Sequence, residues 1–158
     1  MNSFETEVRK SIVVEVPVAR AFDLFTARFD AWWPHSHHIG KIEPFTAILE
    51  PREGGRWYER GADGSECDWG RVLVYSPPKH VALSWHLNPG FGYDPDPARA
   101  SRVDVTFHDE GRHTRVELVH SQLDRHGPDW KKLRDSVSSS GGWPGILAEL
   151  AAFAVRDS

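Results

Sequence analysis

Cysteine is almost absent from this 158-residue sequence, in which Cys67 stands alone. An internal disulfide is therefore excluded, and a chain without disulfides is typical of a reducing compartment, so we predict a cytoplasmic location. The N-terminal stretch MNSFETEVRKS has no apolar segment of the kind found in a signal peptide. The best apolar run, GILAELAAFAV, carries Glu149 and is too short to cross a bilayer, so no membrane association is predicted.

Strong charge of one sign is missing as well. The formal net charge is −4, and the longest basic run is KKLR at 131–134. A nucleic-acid-binding domain typically presents a basic face, so no nucleic-acid partner is predicted. The P-loop, dinucleotide-binding, nucleophile-elbow and zincin signatures are also absent, which leaves nucleotide use, covalent hydrolysis and zincin chemistry without support. We predict no cofactor.

The sequence does contain seven tryptophans and strong period-two alternation. In RVDVTFH the residues Val103, Val105 and Phe107 alternate with polar positions, which is typical of an antiparallel sheet with one covered face. A short amphipathic helix is predicted in PVARAFDLFTARF, and apolar residues at three- and four-residue steps predict a helix in GGWPGILAELAAFAVRD. Residues 1–158 therefore form one α+β domain, in which a curved antiparallel sheet of about six to seven strands wraps around a long C-terminal helix. One or two short helices follow the first strand.

Several segments follow one another in the order known from one protein superfamily. These are VPVARAFDLFT, WWP, EPREGGRWYERG, DWGRVLVYSPPKHVALSW, TRVELVH and GGWPGILAEL. The chain resembles the START-like (SRPBCC, helix-grip) superfamily and, within it, the family named for the activator of heat-shock protein 90 ATPase. The resemblance implies a helix-grip fold with a pocket between the sheet and the C-terminal helix. It implies less about activity, because the superfamily includes carriers, receptors and cyclases.

Three histidines follow the tryptophan pair in AWWPHSHHIGKIEP, residues 31–44. His35, His37 and His38 are of the type that binds divalent ions, but ligands one and two residues apart point in different directions on most backbones. We therefore predict no metal site and place these rings at the mouth of a pocket, with Trp32 and Trp33 at its rim. Cys67 and Asp68 are the candidate distant ligands under the metal alternative.

Aromatic residues and a few polar ones are predicted to line this pocket. A rigid aromatic wall binds flat apolar ligands with little loss of entropy, whereas a simple core is the alternative for any single tryptophan. Glu59 and His120 are in phase with inward-facing neighbours, so each is either a ligand contact or a satisfied buried group. The predicted ligand-binding set is Phe25, Trp32, Trp33, His35, His38, Trp57, Glu59, Trp69, Trp85, Phe107, His120, Trp143 and Leu147.

Three functions fit these features. The favoured one is a carrier or sensor of a small hydrophobic or aromatic molecule, because no catalytic signature accompanies the aromatic wall. The second is a cyclase- or hydrolase-like enzyme that uses His120, Glu59 or the His35–His38 group for acid–base chemistry. The third, implied by the resemblance, is a chaperone-linked interaction protein, with a protein partner or a homodimer. Residues 88–100 form a long connection, which is either a lid carrying Phe91 and Tyr93 or a disordered hairpin tip.

Overall fold

A computed structural model describes residues 6–34, 45–90 and 92–156 of the chain. Its sheet has seven strands in the order β1-β7-β6-β5-β4-β3-β2, with every neighbouring pair antiparallel. The strands are β1 (Val8–Val14), β2 (Phe45–Leu49), β3 (Arg56–Gly61), β4 (Glu66–Ser76), β5 (His80–Trp85), β6 (Ser101–Asp109) and β7 (Thr114–Ser121). The α-helices are α1 (Val18–Phe25), α2 (Phe29–Trp32), α3 (Trp130–Ser138) and α4 (Trp143–Arg156).

The alternation of apolar residues positions the inner face of this sheet. In β6 and β7 every second residue is buried, and Val105 is paired with Leu118 while Phe107 is paired with Val116. The helix α4 buries Ile146, Leu147 and Leu150 and packs against β1 and the two short helices. The predicted helix-grip architecture is confirmed.

The predicted helix after the first strand is divided in two. At the end of α1 the Thr26 hydroxyl donates to the carbonyl of Phe22 at 2.8 Å, and the chain re-enters a helical turn at Phe29. The indole N–H of Trp32 donates back to the carbonyl of Leu24 at 2.6 Å. This bond holds α2 against α1 and directs Trp33 toward the inner face of the sheet.

The helix α3 was not predicted from the sequence. Its residues KKLRDS are mostly polar, and only Trp130, Leu133 and Val137 are buried on one side. A short turn between Ser138 and Trp143 separates it from α4. Gly142 in this turn packs so closely that a Cβ would lie 2.3 Å from the carbonyl oxygen of Val137. Within the described residues no helix is both long and apolar enough to cross a membrane.

The segment after β5 folds back over the outer face of the sheet. The amide of Asp94 donates to the carbonyl of His86 at 2.8 Å, and Leu87 forms a bridge with Tyr93. Ser84 and His86 are therefore buried although they point away from the core. Tyr93 packs on this outer face and not over the interior, where the lid alternative placed it, and Phe91 lies outside the described residues.

Candidate functional site

Five tryptophans close a ring of contacts on the inner face of the sheet, which we call the tryptophan circuit. The centroid distances are 5.2 Å for Trp33–Trp69, 5.2 Å for Trp69–Trp57, 5.8 Å for Trp57–Trp85, 5.7 Å for Trp85–Trp143 and 6.4 Å for Trp143–Trp33. The interplanar angles run from 42° to 87°, so the rings are tilted or edge-on and not stacked. Tilted and edge-to-face pairs are the favourable arrangements for aromatic rings.

Polar partners fix the orientation of four of these indoles. Trp57 donates to the carbonyl of Ser84 at 2.8 Å, and Trp85 donates to the carbonyl of Leu87 at 2.9 Å. Trp69 donates to the carboxylate of Glu59 at 3.0 Å. Trp143 donates to Nδ1 of His120 at 3.1 Å. A buried indole N–H needs a partner in any case, and these four bonds also fix the direction of each ring, so the circuit is both packed and oriented.

An irregularity in the sheet brings two circuit members to the same face. Trp57 pairs with Gly70 while Tyr58 pairs with Asp68, so Trp69 is the extra residue of a β-bulge. This bulge explains why simple alternation left the direction of Trp69 ambiguous. Gly70 is also required by the circuit, since a Cβ at this position would lie 1.8 Å from the Ser84 carbonyl oxygen and 2.3 Å from Nε1 of Trp57.

The predicted site residues that the structure describes lie in one buried cluster. Phe29, which the prediction missed, stacks on Trp33 at 4.8 Å and links the circuit to the aromatic residues of the short helices. Phe25 lies 5.3 Å from Trp32 and 5.9 Å from Phe107. Trp32 and Trp33 are only 3% and 5% exposed, so they are interior residues and not an open rim. His35, His37 and His38 lie outside the described residues.

Within the described residues, a cavity of about 70 Å³ lies beside the circuit. Its lining consists of Trp85, Trp143, Val137, Gly142 and Ile146 and the exposed Ser136 and Gly141. It lies at the break between α3 and α4. A water molecule occupies about 30 Å³ of liquid, so the cavity as it stands is smaller than a fused aromatic ring system.

A chain of polar side chains runs from the circuit into the sheet. Nε2 of His120 lies 2.7 Å from Oγ of Ser101, and this oxygen lies 2.7 Å from Nε2 of His126. An indole N–H can only donate, so Nδ1 of His120 is the acceptor and its proton is on Nε2. The neutral ring then donates to Ser101, and the Ser101 hydroxyl donates to His126.

Both imidazoles in this chain are held neutral. Burial lowers the pKa of His120 to about 3, and the nearby His126 contributes to the same direction. Burial also lowers the pKa of His126 to about 4. A neutral imidazole has one donor and one acceptor nitrogen, so the chain can pass a proton along its length without storing charge.

Protonation should therefore couple His120 to stability. The pKa of His120 returns to its ordinary value on unfolding, so at acid pH the unfolded chain binds a proton that the folded chain does not. The free energy of unfolding is therefore highest above about pH 6.5 and decreases as the pH falls toward the folded pKa. For one histidine the loss from pH 7 to pH 5 is about 2 kcal/mol.

We expect urea unfolding of His120→Gln to lack this part of the wild-type pH dependence. The control His113→Gln, in a partly exposed hairpin position, should follow wild type. Parallel pH profiles for wild type and His120→Gln would contradict a neutral buried His120.

Sequence reasoning missed Ser101 and His126. Ser101 is in phase with Val103, Val105 and Phe107, so the same alternation that placed those residues inward also pointed to this serine. His126 lies in a short 3-10 helix, Leu123–His126, where no periodic signal exists.

Metal binding is not indicated by the described part of the chain. There, no group of three His, Cys, Asp or Glu side chains is arranged to hold an ion. Cys67 is only partly buried, and burial raises the pKa of its thiol. The histidines at 35, 37 and 38 are not described, so the absence of a metal site stays a prediction.

Several solved structures share this fold. The anthrahydroquino-γ-pyrone synthase Txn09, solved as a complex, is 39% identical, with 94% of this chain and 97% of that chain covered and a TM-score of 0.64. CalC, a self-sacrificing resistance protein from Micromonospora echinospora, is 31% identical, with 98% and 97% covered and a TM-score of 0.70. Protein NE0264 from Nitrosomonas europaea, at 16% identity with 100% and 99% covered and a TM-score of 0.68, supports the fold alone.

A search of curated proteins finds no match. The family model described as activator of Hsp90 ATPase homolog 1-like protein, in contrast, matches residues 15–154, which is nearly the whole chain and includes every member of the circuit. The chain therefore belongs to the activator of Hsp90 ATPase homolog 1-like family.

Proposed function

We propose that this protein is a carrier or sensor that binds a small, flat aromatic molecule between the inner face of the sheet and α4. The tryptophan circuit is the observation that carries the proposal. Its indoles are rigid and oriented by hydrogen bonds, so little side-chain entropy is lost when a ligand packs on them. Trp85 and Trp143 also border the small cavity at the break between α3 and α4.

The related synthase supports an aromatic ligand class. Its name refers to an anthrahydroquinone joined to a pyrone, which is a fused ring system, and its identity of 39% extends over 94% of this chain. A ligand of that width exceeds the 70 Å³ cavity. Binding therefore requires the turn between α3 and α4 to move outward, which carries Val137 and Gly142 away from Trp85.

A second candidate, a cyclase-like enzyme, is favoured by the chain His120–Ser101–His126. A ligand hydroxyl that replaces the Trp143 N–H at Nδ1 of His120 places a proton within reach of this chain. As Nδ1 takes that proton, Nε2 releases its own to Ser101, and the Ser101 hydroxyl proton passes to Nε2 of His126. His126 then releases the proton on its Nδ1, so the chain stays neutral and the ligand oxygen is left as an anion. Ring closure in such substrates needs proton removal of this kind. Glu59 already accepts from Trp69 and acts as a support for the circuit.

Binding is tested with alizarin, a dihydroxyanthraquinone, by equilibrium dialysis against wild type and two matched variants. Trp143→Phe removes a circuit indole, whereas Trp130→Phe changes a tryptophan on α3 that packs beside Arg134 and lies outside the circuit. Because an aromatic contact is worth about 0.5–1.5 kcal/mol beyond its area, we expect Trp143→Phe to weaken binding about 5- to 10-fold. Trp130→Phe should stay within about twofold of wild type. Thermal melting confirms that each variant is folded.

Equal affinities for the two variants would contradict the proposed site. A wild-type protein that binds no alizarin would contradict the proposed ligand class. His120→Gln in the same series separates carrier from enzyme through the colour of the bound dye. If the protein is an enzyme, bound alizarin should ionise more readily on wild type than on His120→Gln. If it is a carrier, alizarin should bind without this difference in ionisation.

A further inference from the structure

A second and larger cavity lies on the outer face of the sheet. Its volume is about 500 Å³, and it is bordered by β4, β5 and β6, by the segment that folds back after β5, and by the residues following β7. Ser84 and His86, which line it, flank the inward-pointing Trp85 on β5. The sheet therefore lies between this cavity and the tryptophan circuit, and Ser101 is the residue that the cavity shares with the interior polar chain.

The charged side chains that line this cavity are all arginines. Three arginines line it, Arg71, Arg102 and Arg125, and its described lining includes no aspartate or glutamate. Arg71 contacts Asp68 at 3.4 Å, and Arg102 contacts Asp104 at 2.8 Å. Among the ion pairs of residues 6–34, 45–90 and 92–156, none includes Arg125, whose side chain is exposed. One guanidinium thus has its charge available to a ligand.

Hydrogen bonds hold the polar groups of the cavity in fixed positions. Nδ1 of His86 donates to the carbonyl of Asp94 at 2.9 Å, so its Nε2 is the acceptor for the Ser84 hydroxyl at 2.9 Å. The Ser84 oxygen in turn accepts from the amide of Arg71 at 2.9 Å. The Tyr93 ring lies 5.5 Å from His86 and forms an aromatic wall. These bonds order the wall before any ligand arrives.

Apolar surface completes the lining. Leu73 and Tyr93 are 38% and 37% exposed, and both face this cavity. Pro95 and Pro97 continue the same apolar wall. A cavity with an apolar wall and unneutralised guanidinium charge matches a ligand that has an apolar body and an anionic end, since arginine binds carboxylates through paired N–H donors.

We propose that the outer-face cavity binds a small aromatic carboxylate. The carboxylate pairs with Arg125 and with the outer N–H groups of Arg71 or Arg102, while the ring lies against Tyr93 and Leu73. Ser101 lines this cavity through its position at the start of β6 and also joins His120 to His126. The cavity is thus placed to influence the polar chain of the interior site from the opposite side of the sheet.

The test uses naphthoate as the probe and isothermal titration calorimetry as the measurement. Arg125→Gln removes the available charge, and Arg112→Gln removes the same charge from the exposed turn between β6 and β7. We expect Arg125→Gln to weaken binding about tenfold and Arg112→Gln to change it by less than about twofold. Naphthalenemethanol, which has the ring without the charge, should bind at least about tenfold more weakly than naphthoate.

Amide chemical shifts locate the bound probe. Changes concentrated at His86, Tyr93 and Arg125 support the proposal, whereas changes concentrated at Trp85 and Trp143 would place naphthoate in the interior and overturn it. The proposal is also overturned if Arg125→Gln and Arg112→Gln bind equally well, or if the alcohol binds as tightly as the acid. Because both arginines are exposed, neither variant is expected to lose the fold.

Discussion

Replacing Gly70 with alanine is expected to lower the free energy of unfolding by about 3–5 kcal/mol. The new Cβ would lie 1.8 Å from the Ser84 carbonyl oxygen and 2.3 Å from Nε1 of Trp57. Neither atom can yield cheaply, because one is backbone and the other belongs to an indole packed between Trp69 and Trp85. Overpacking and the loss of the Trp57–Ser84 hydrogen bond therefore act together. Urea unfolding measures the loss.

Gly141→Ala is the matched control for this substitution. A Cβ at Gly141 would meet only the Ser139 hydroxyl oxygen at 4.0 Å, so the same methyl group is added without a clash. We expect this variant to unfold within about 0.5 kcal/mol of wild type. If Gly70→Ala proved as stable as Gly141→Ala, the Trp57 indole would not lie against Gly70 and the Ser84 carbonyl as described. The position of Trp57 in the circuit would then be wrong.

Leu147→Asp is expected to give no stable folded protein. Leu147 is 1% exposed in the middle of α4, where the helix packs against the sheet and the short helices. The substitution removes a buried leucine, which costs about 2–5 kcal/mol, and adds a carboxylate that must lose its hydration or its charge. The sum approaches the total stability of a typical domain. Circular dichroism and the soluble fraction after expression provide the measurement.

Ala152→Asp places the same carboxylate on the exposed side of the same helix. Its effect is limited to helix propensity and to a small unfavourable interaction with the helix dipole, together about 1 kcal/mol or less. A soluble, cooperatively melting Leu147→Asp protein would show that α4 does not close the core. Loss of folding in both variants would instead point to a general intolerance of acidic residues in this helix.

The sheet and the terminal helix were predictable because their signals are local. Residues such as Val103, Val105 and Phe107 alternate without interruption, and Ile146, Leu147 and Leu150 recur at helical spacing. The helix α3 was not found, since its three buried residues are spread among charged and hydroxyl-bearing ones. Its helical state depends on packing against the residues after β7 more than on its own pattern.

The contents of the interior were harder to predict than its walls. Alternation assigns Trp57 and Trp85 to the inner face, but it does not say whether large rings facing one another leave a void or fill it. That outcome depends on rotamers, on the bulge at Trp69 and on the space above Gly70, all of which are set by residues distant in sequence. The polar chain beyond His120 was missed for the same reason, because His126 reaches it from an aperiodic turn.

The closed ring of contacts among the five tryptophans has a spectroscopic consequence. Neighbouring indoles in the circuit are at most 6.4 Å apart and differ in tilt, so excitation energy absorbed by one passes rapidly among the others before emission. The five indoles of the circuit then emit as a group, and their emission is depolarised because the excitation moves between rings of different orientation. A molecule that quenches Trp143 alone would then also lower the emission of its four neighbours. The emission of the wild-type protein should therefore be an amplified optical reporter of any quencher bound beside Trp143.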